Sequence, residues 1–246
     1  MELAAAICAA WSRCIELTHD LRPGEELVLE AVLGNDPGEI DLARHRGALA
    51  ATDLVTVLDA LSPMVTTGAI ARQQDHLLML HAAALADPAS GATVLLVGES
   101  GAGKTTAAAT LGAHLGYLSD ETAGIRLDHS MVAYPKPLSM RRDAAAPKEQ
   151  VSPADAGLLS PPASCHVAGL LLLARDPDHV GDAVVEDVPM VQALVALATQ
   201  TSFLSRQRRP LHRLAALVEA ASGARRVRYR DSADLLPVVL HTLEVQ

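Results

Sequence analysis

Gly98-Glu99-Ser100-Gly101-Ala102-Gly103-Lys104-Thr105 matches GxxxxGK[ST] at every fixed position, and its flanks decide the fold class. An apolar run, Ala92 to Val97, precedes it, and an alanine-rich stretch, Thr106 to Leu115, follows. Strand, glycine loop and helix in that order are the setting in which this octapeptide has a mechanism. The glycines at 98, 101 and 103 let the backbone bend tightly and turn its N–H groups toward an anion. The helix adds the positive end of its dipole. A lysine at 104 reaches β- and γ-phosphates, and the Thr105 hydroxyl suits Mg²⁺. The expected nucleotide cradle is therefore Gly98, Glu99, Ser100, Gly101, Ala102, Gly103, Lys104, Thr105 and Thr106.

Outward from the loop, two strand-like runs, Leu77 to Leu85 and Ala92 to Val97, flank the turn cluster Asp87-Pro88-Ala89-Ser90-Gly91. That spacing predicts a hairpin leading directly into the loop. Downstream, Gly116 is the expected helix stop, followed by a short strand carrying Tyr117 to Glu121. A hairpin is expected around Asp128-His129-Ser130. Val167 to Leu173 reads as a buried strand, and Pro135 to Pro162 as a long surface loop. Pro189 to Ala198, Leu211 to Ala221 and Ala233 to Leu243 read as helices, with Arg226 to Arg230 a strand. Toward the N-terminus, Leu3 to Leu17 and Leu42 to Leu61 read as helices, the second stopped by Ser62-Pro63, with Glu26 to Leu33 a strand between them.

Half of the 246 residues are hydrophobic but only 2% are aromatic, so the core is built from Ala, Leu and Val. A net charge of −9 argues against general nucleic-acid binding. The charge is uneven, because Ser205 to Arg230 holds eight arginines and one acid. Such a segment can face nucleotide phosphates, an acidic partner, or the acidic N-terminal part of the chain. Cys8, Cys14 and Cys165 lack metal or disulfide spacing. The longest apolar run, Val167 to Ala174, is too short to cross a bilayer, and a basic leader is absent. A cytoplasmic protein without membrane partners is expected. Leu170 to Asp176 superficially matches a Walker B strand, but its acid lies beyond the apolar run and before a proline, which predicts a turn. No GxSxG elbow appears, so hydrolase chemistry has no support.

His81 opens His-Ala-Ala-Ala-Leu seventeen residues before Gly98, and Leu118-Ser119-Asp120-Glu121 follows about one helix after the loop. This order resembles the HPr kinase/phosphorylase family and its phosphoenolpyruvate-carboxykinase-like relatives, and is most similar to their short stand-alone members. The resemblance covers roughly His81 to Arg141. It implies an α/β, mixed-sheet P-loop kinase core over 76–246 and a small N-terminal α+β portion over 1–75. It further implies that Asp120 accepts a serine hydroxyl proton, that Glu121 and Asp120 assist Mg²⁺ together with Thr105, and that His81 lies near the transferred phosphoryl group. Glu121 stands where the full-length enzymes carry aspartate. ATP and Mg²⁺ are the expected cofactors. The implied acceptor is a serine-type hydroxyl of a peptide, small protein or free amino acid, and self-association through the core is a family habit. Lys136, Arg141 or one of Arg206, Arg208 and Arg209 is a candidate phosphate or acceptor contact. The alternatives are a nucleotide-binding regulatory module and an assembly NTPase that yields no phosphorylated product.

Overall fold

In a computed structural model, residues 2–14, 28–141 and 146–244 are described. In chain order the first elements are α1 (Glu2–Ala10), β1 (Ala31–Leu33), α2 (Pro37–His45), β2 (Leu49–Ala51), α3 (Leu54–Gln73), β3 (Leu78–Leu80), β4 (Ala82–Ala86) and β5 (Ala92–Val97). The glycine loop and α4 (Lys104–Leu111) follow, then β6 (Gly116–Ser119), β7 (Ala123–Ile125), β8 (Met131–Val132), β9 (Leu138–Met140) and β10 (Glu149–Val151). The chain ends with β11 (His166–Arg175), β12 (Val184–Val188), α5 (Met190–Thr199), β13 (Thr201–Ser202), α6 (Pro210–Ala220), β14 (Ala224–Tyr229) and α7 (Leu235–Glu244). Chain packing separates two units, Met1–Arg72 with Lys136–Asp155, and Gln73–Pro135 with Ala156–Gln246.

In the smaller unit β1 and β2 pair in parallel, joined by α2. Asp36 caps α2, its carboxylate accepting from the Gly38 and Glu39 amides, and Pro37 fills the first turn where an N–H is not needed. Trp11 of the α1 end packs with Leu58 and Leu61 of α3. Three sequence expectations change here. The helix expected over Leu42 to Leu61 is two helices separated by β2, because Gly47 takes a positive φ and stops α2. Pro63 does not stop the next one: α3 runs through it. An internal proline costs ~3 kcal/mol, and Leu58, Leu61, Ser62 and Thr66, buried on either side of it, offset that cost. Within Pro135 to Pro162, β9 and β10 form an antiparallel hairpin, and Lys148 donates its amide to Asp59 of α3. Residues 15–17 and 26–27 of the expected N-terminal helix and strand lie outside the described residues. By length and composition α3 is apolar enough to cross a membrane, with mean hydropathy 1.5 over an 18-residue window. A search for uninterrupted apolar runs misses it because Thr, Asp, Ser, Pro and Gly punctuate it.

The larger unit is α/β, built on a mixed six-stranded sheet in the order β12-β14-β11-β5-β4-β6. β5, β11 and β14 are parallel, and β4, β6 and β12 run against their neighbours. Helices cover both faces. Leu95, Val97, Leu170 and Leu172 pack with Ala193, Leu197, Leu214 and Leu217 of α5 and α6. On the opposite face α7 lies on β5 and β11, with Thr242 over Gly169. The expected hairpin into the loop is present as β4–β5, and β4 is entirely buried. A second, four-stranded sheet has the order β13-β3-β7-β8.

Candidate active site

The run Leu77 to Leu85, read from sequence as one strand, is two strands in different sheets, and His81 is the break between them. The partner segment breaks at the same level. β6 pairs with β4 in the large sheet, β7 pairs with β3 in the small one, and Asp120-Glu121-Thr122 lie between. Leu80 opposite Ala123 and Ala84 opposite Ser119 keep one register across the gap. The histidine and the two acids are therefore brought together by the backbone. The break is locally satisfied: the His81 amide donates to Gln200 O at 2.7 Å, and the Ser119 hydroxyl accepts from the Glu121 and Thr122 amides at 3.2 and 3.1 Å.

Asp120 is buried, and Tyr117 Oη donates to its Oδ1 at 2.9 Å. His81 Nδ1 lies 2.9 Å from the Glu121 carbonyl. A carbonyl only accepts, so Nδ1 carries the proton and Nε2 is the lone-pair nitrogen of the neutral ring. Burial, and then the Lys104 charge, hold His81 below the usual histidine range. Lys104 is itself buried, and its ammonium donates to Gly98 O at 2.6 Å and Glu99 O at 3.0 Å. Desolvation lowers its pKa, while the Asp120 and Glu121 charges oppose that shift. Lysine, histidine and both acids thus form one electrostatic cluster at the mouth of the glycine loop.

β6, which ends one residue before Asp120, does not neighbour β5; β4 lies between them. Two strand spacings are about 10 Å, and the intervening β4 residues Ala82, Ala83 and Ala84 are small and buried.

The loop is supported from residues that the sequence reading did not select. Gly103 has φ +88, and a side chain there would meet Tyr229 Oη at 3.1 Å. That hydroxyl donates to Ala102 O at 2.8 Å, tying the loop to the end of β14. Arg175, at the end of β11, passes beside Gly103 and donates Nε to Arg230 O. The available signal was scarcity: the chain has three tyrosines, and Tyr117 and Tyr229 both give their hydroxyls to this site. Thr105 is half-buried at the start of α4, and Glu99, Ser100 and Thr106 are exposed. The helix itself ends one turn earlier than expected, at Gly112, and Gly116 opens β6.

Asp176 forms the expected turn, accepting from the Asp178 amide at 3.0 Å. Lys136 and Arg141 belong to the smaller unit, where Lys136 is buried and donates to Pro137 O at 3.0 Å rather than standing solvated. Arg206, Arg208 and Arg209 line a cavity at the far end of β3 and β7. Arg225 and Arg226 are opposite Asp187 and Glu186 across the β12–β14 ladder.

Among the described residues no group of three or more His, Cys, Asp or Glu side chains is placed to hold a metal. Thr105, Asp120 and Glu121 carry hard oxygen donors, the kind of ligand Mg²⁺ takes.

No family model and no curated protein sequence matches this chain. Among solved structures, the chain is similar to the Hpr(Ser) kinase/phosphatase from Coxiella burnetii at 13% identity and a TM-score of 0.34, over 68% of this chain and 93% of that one.

Proposed function

We propose that this chain is an ATP- and Mg²⁺-dependent kinase that phosphorylates a serine-type hydroxyl of a peptide, small protein or free amino acid, with its catalytic portion in 76–246. One observation supports this reading above the others. Lys104 of a complete phosphate-loop sequence is buried in one electrostatic cluster with Asp120, Glu121 and His81. Phosphoryl transfer needs little covalent help from a protein, only positioning, charge neutralisation and a base for the alcohol.

In this reading the loop amides and Lys104 hold the β- and γ-phosphates, for which Lys104 exchanges its carbonyl partners for phosphate oxygens. Thr105 and the acidic pair would hold Mg²⁺, which would supply charge neutralisation to the phosphates. Asp120 takes the proton of the acceptor hydroxyl as its oxygen bonds to the γ-phosphorus. The bond from that phosphorus to the bridging oxygen breaks, and ADP leaves. Tyr117 holds the carboxylate in place, the third-group arrangement that orients a base. His81, neutral and anchored on Glu121 O, lies beside the phosphates without adding charge.

The test is incubation with γ-labelled ATP and serine or serine peptides. Label is expected in an acceptor. Lys104→Ala abolishes transfer, and Asp120→Asn lowers it about 10²–10⁴-fold while ATP still binds. Label in free phosphate alone would make the protein an NTPase. Binding without any label movement would make it a nucleotide switch.

A further inference from the structure

The arginine-rich segment after β13 does not face the glycine loop. Arg206, Arg208 and Arg209 line a cavity of about 550 Å³ together with Arg126 and Arg213, with His129 and His212 on its rim. Asp75 is the only carboxylate among the described residues that line it. The floor is apolar, formed by Leu78, Ile125 and Leu217. Arg213 donates to Gln207 Oε1, and Gln207 Nε2 is fixed on Gln74 O and Leu77 O, so this wall is braced from below. Arg206 lies over the Phe203 ring at 5.6 Å. The Gln74 side-chain oxygen, in a residue that also lines the cavity, is buried without a hydrogen-bond partner.

Each feature narrows the ligand. Five arginines against one acid call for an anion. An apolar floor calls for a ligand with apolar body as well as charge. Among the described lining residues none is Phe, Tyr or Trp, so the broad stacking platform that bases favour is missing.

The cavity also has a fixed relation to the catalytic cluster. Leu78 and Ile125 are opposite one another at its floor, and Leu80 and Ala123 are opposite one another next to His81 and Thr122. The separation is the length of β3, about 10 Å. We propose that this cavity docks an acidic segment of the phosphate acceptor, a peptide or small protein whose reactive hydroxyl lies about three to four residues from its acidic side chains. The inference rests on the kinase reading but has its own readout.

The experiment uses the full chain and two fluorescein-labelled peptides. Each carries one serine, a leucine, and then either glutamates or glutamines about four residues on. Fluorescence anisotropy is expected to show binding of the glutamate peptide, weakened by salt, and at least about tenfold weaker binding of the glutamine peptide. Arg206→Ala/Arg208→Ala and, separately, Arg208→Glu are expected to lose at least about tenfold in affinity for the glutamate peptide. Their ATP binding stays at the level of the unaltered protein, which shows that they fold. Equal binding of both peptides, or variants that bind as tightly as the parent, would overturn the docking surface. Peptide docking without label transfer from ATP would keep the surface and remove the kinase. Transfer to both peptides with equal kcat/KM would keep the kinase and remove the surface.

Discussion

Asp120 is held by the hydroxyl of Tyr117, from the strand that ends just before it, and that bond separates positioning from binding. Tyr117→Phe is expected to lower kcat while leaving ATP affinity unchanged, read in single-turnover transfer and nucleotide titration. Tyr229→Phe acts on the other side of the loop. It releases Ala102 O and costs about 1 kcal/mol of stability, seen in a urea midpoint, together with weaker ATP binding. His81 gives a pH signature with a definite sign, because burial holds its folded pKa below the ordinary histidine value of about 6.5. Above that value both states are neutral and the group contributes nothing. As pH falls through it the unfolded ring takes up its proton first, so the folded state loses stability until the folded pKa is passed. Between about pH 7.5 and pH 5.5, His81→Gln should lose less urea stability than the unaltered chain. At this scale the sequence was informative about the loop, His81, Asp120 and Glu121, because order along the chain marks them. Tyr117, Tyr229 and Arg175 were hidden, because a supporting hydroxyl or stem has no spacing rule.

Among the elements, the decisive one is the paired break in β3–β4 and β6–β7. It was read as two ordinary strands because Leu77 to Leu85 is apolar throughout apart from His81, and apolar periodicity does not reveal a change of sheet. β12 was missed for a different reason: four of its five residues are exposed, as befits an edge strand whose acids oppose the arginines of β14. The β4–β5 hairpin was legible from Asp87-Pro88-Ala89-Ser90-Gly91, whose chemistry the structure uses directly. Asp87 Oδ1 accepts from the Ala89 and Ser90 amides, and Gly91 has φ +75 with Ser164 O occupying the place of a side chain. Gly91→Ala is therefore expected to destabilise by more than the 1–2 kcal/mol of left-handed strain alone, about 3 kcal/mol or more. Circular dichroism during urea unfolding measures it. A change under about 0.5 kcal/mol would mean that the turn is not packed against Ser164.

For the whole molecule, a net −9 chain concentrates its arginines in two places with different employment. One set lines a cavity at one end of the small sheet, and the other is balanced across the β12–β14 ladder. Composition showed the excess but could not divide it, since the division depends on which strands end beside one another. The central claim is spatial: a triphosphate on the glycine loop brings its terminal phosphorus to the carboxylate held at the paired break. A crystal structure with Mg²⁺, a non-hydrolysable ATP analogue and a serine acceptor tests it most directly. The account expects an Asp120 oxygen within about 3 Å of the acceptor hydroxyl and that hydroxyl in line with the γ-phosphorus. An Asp120 turned away from the acceptor hydroxyl, with the γ-phosphate pointing away from the break, would contradict it.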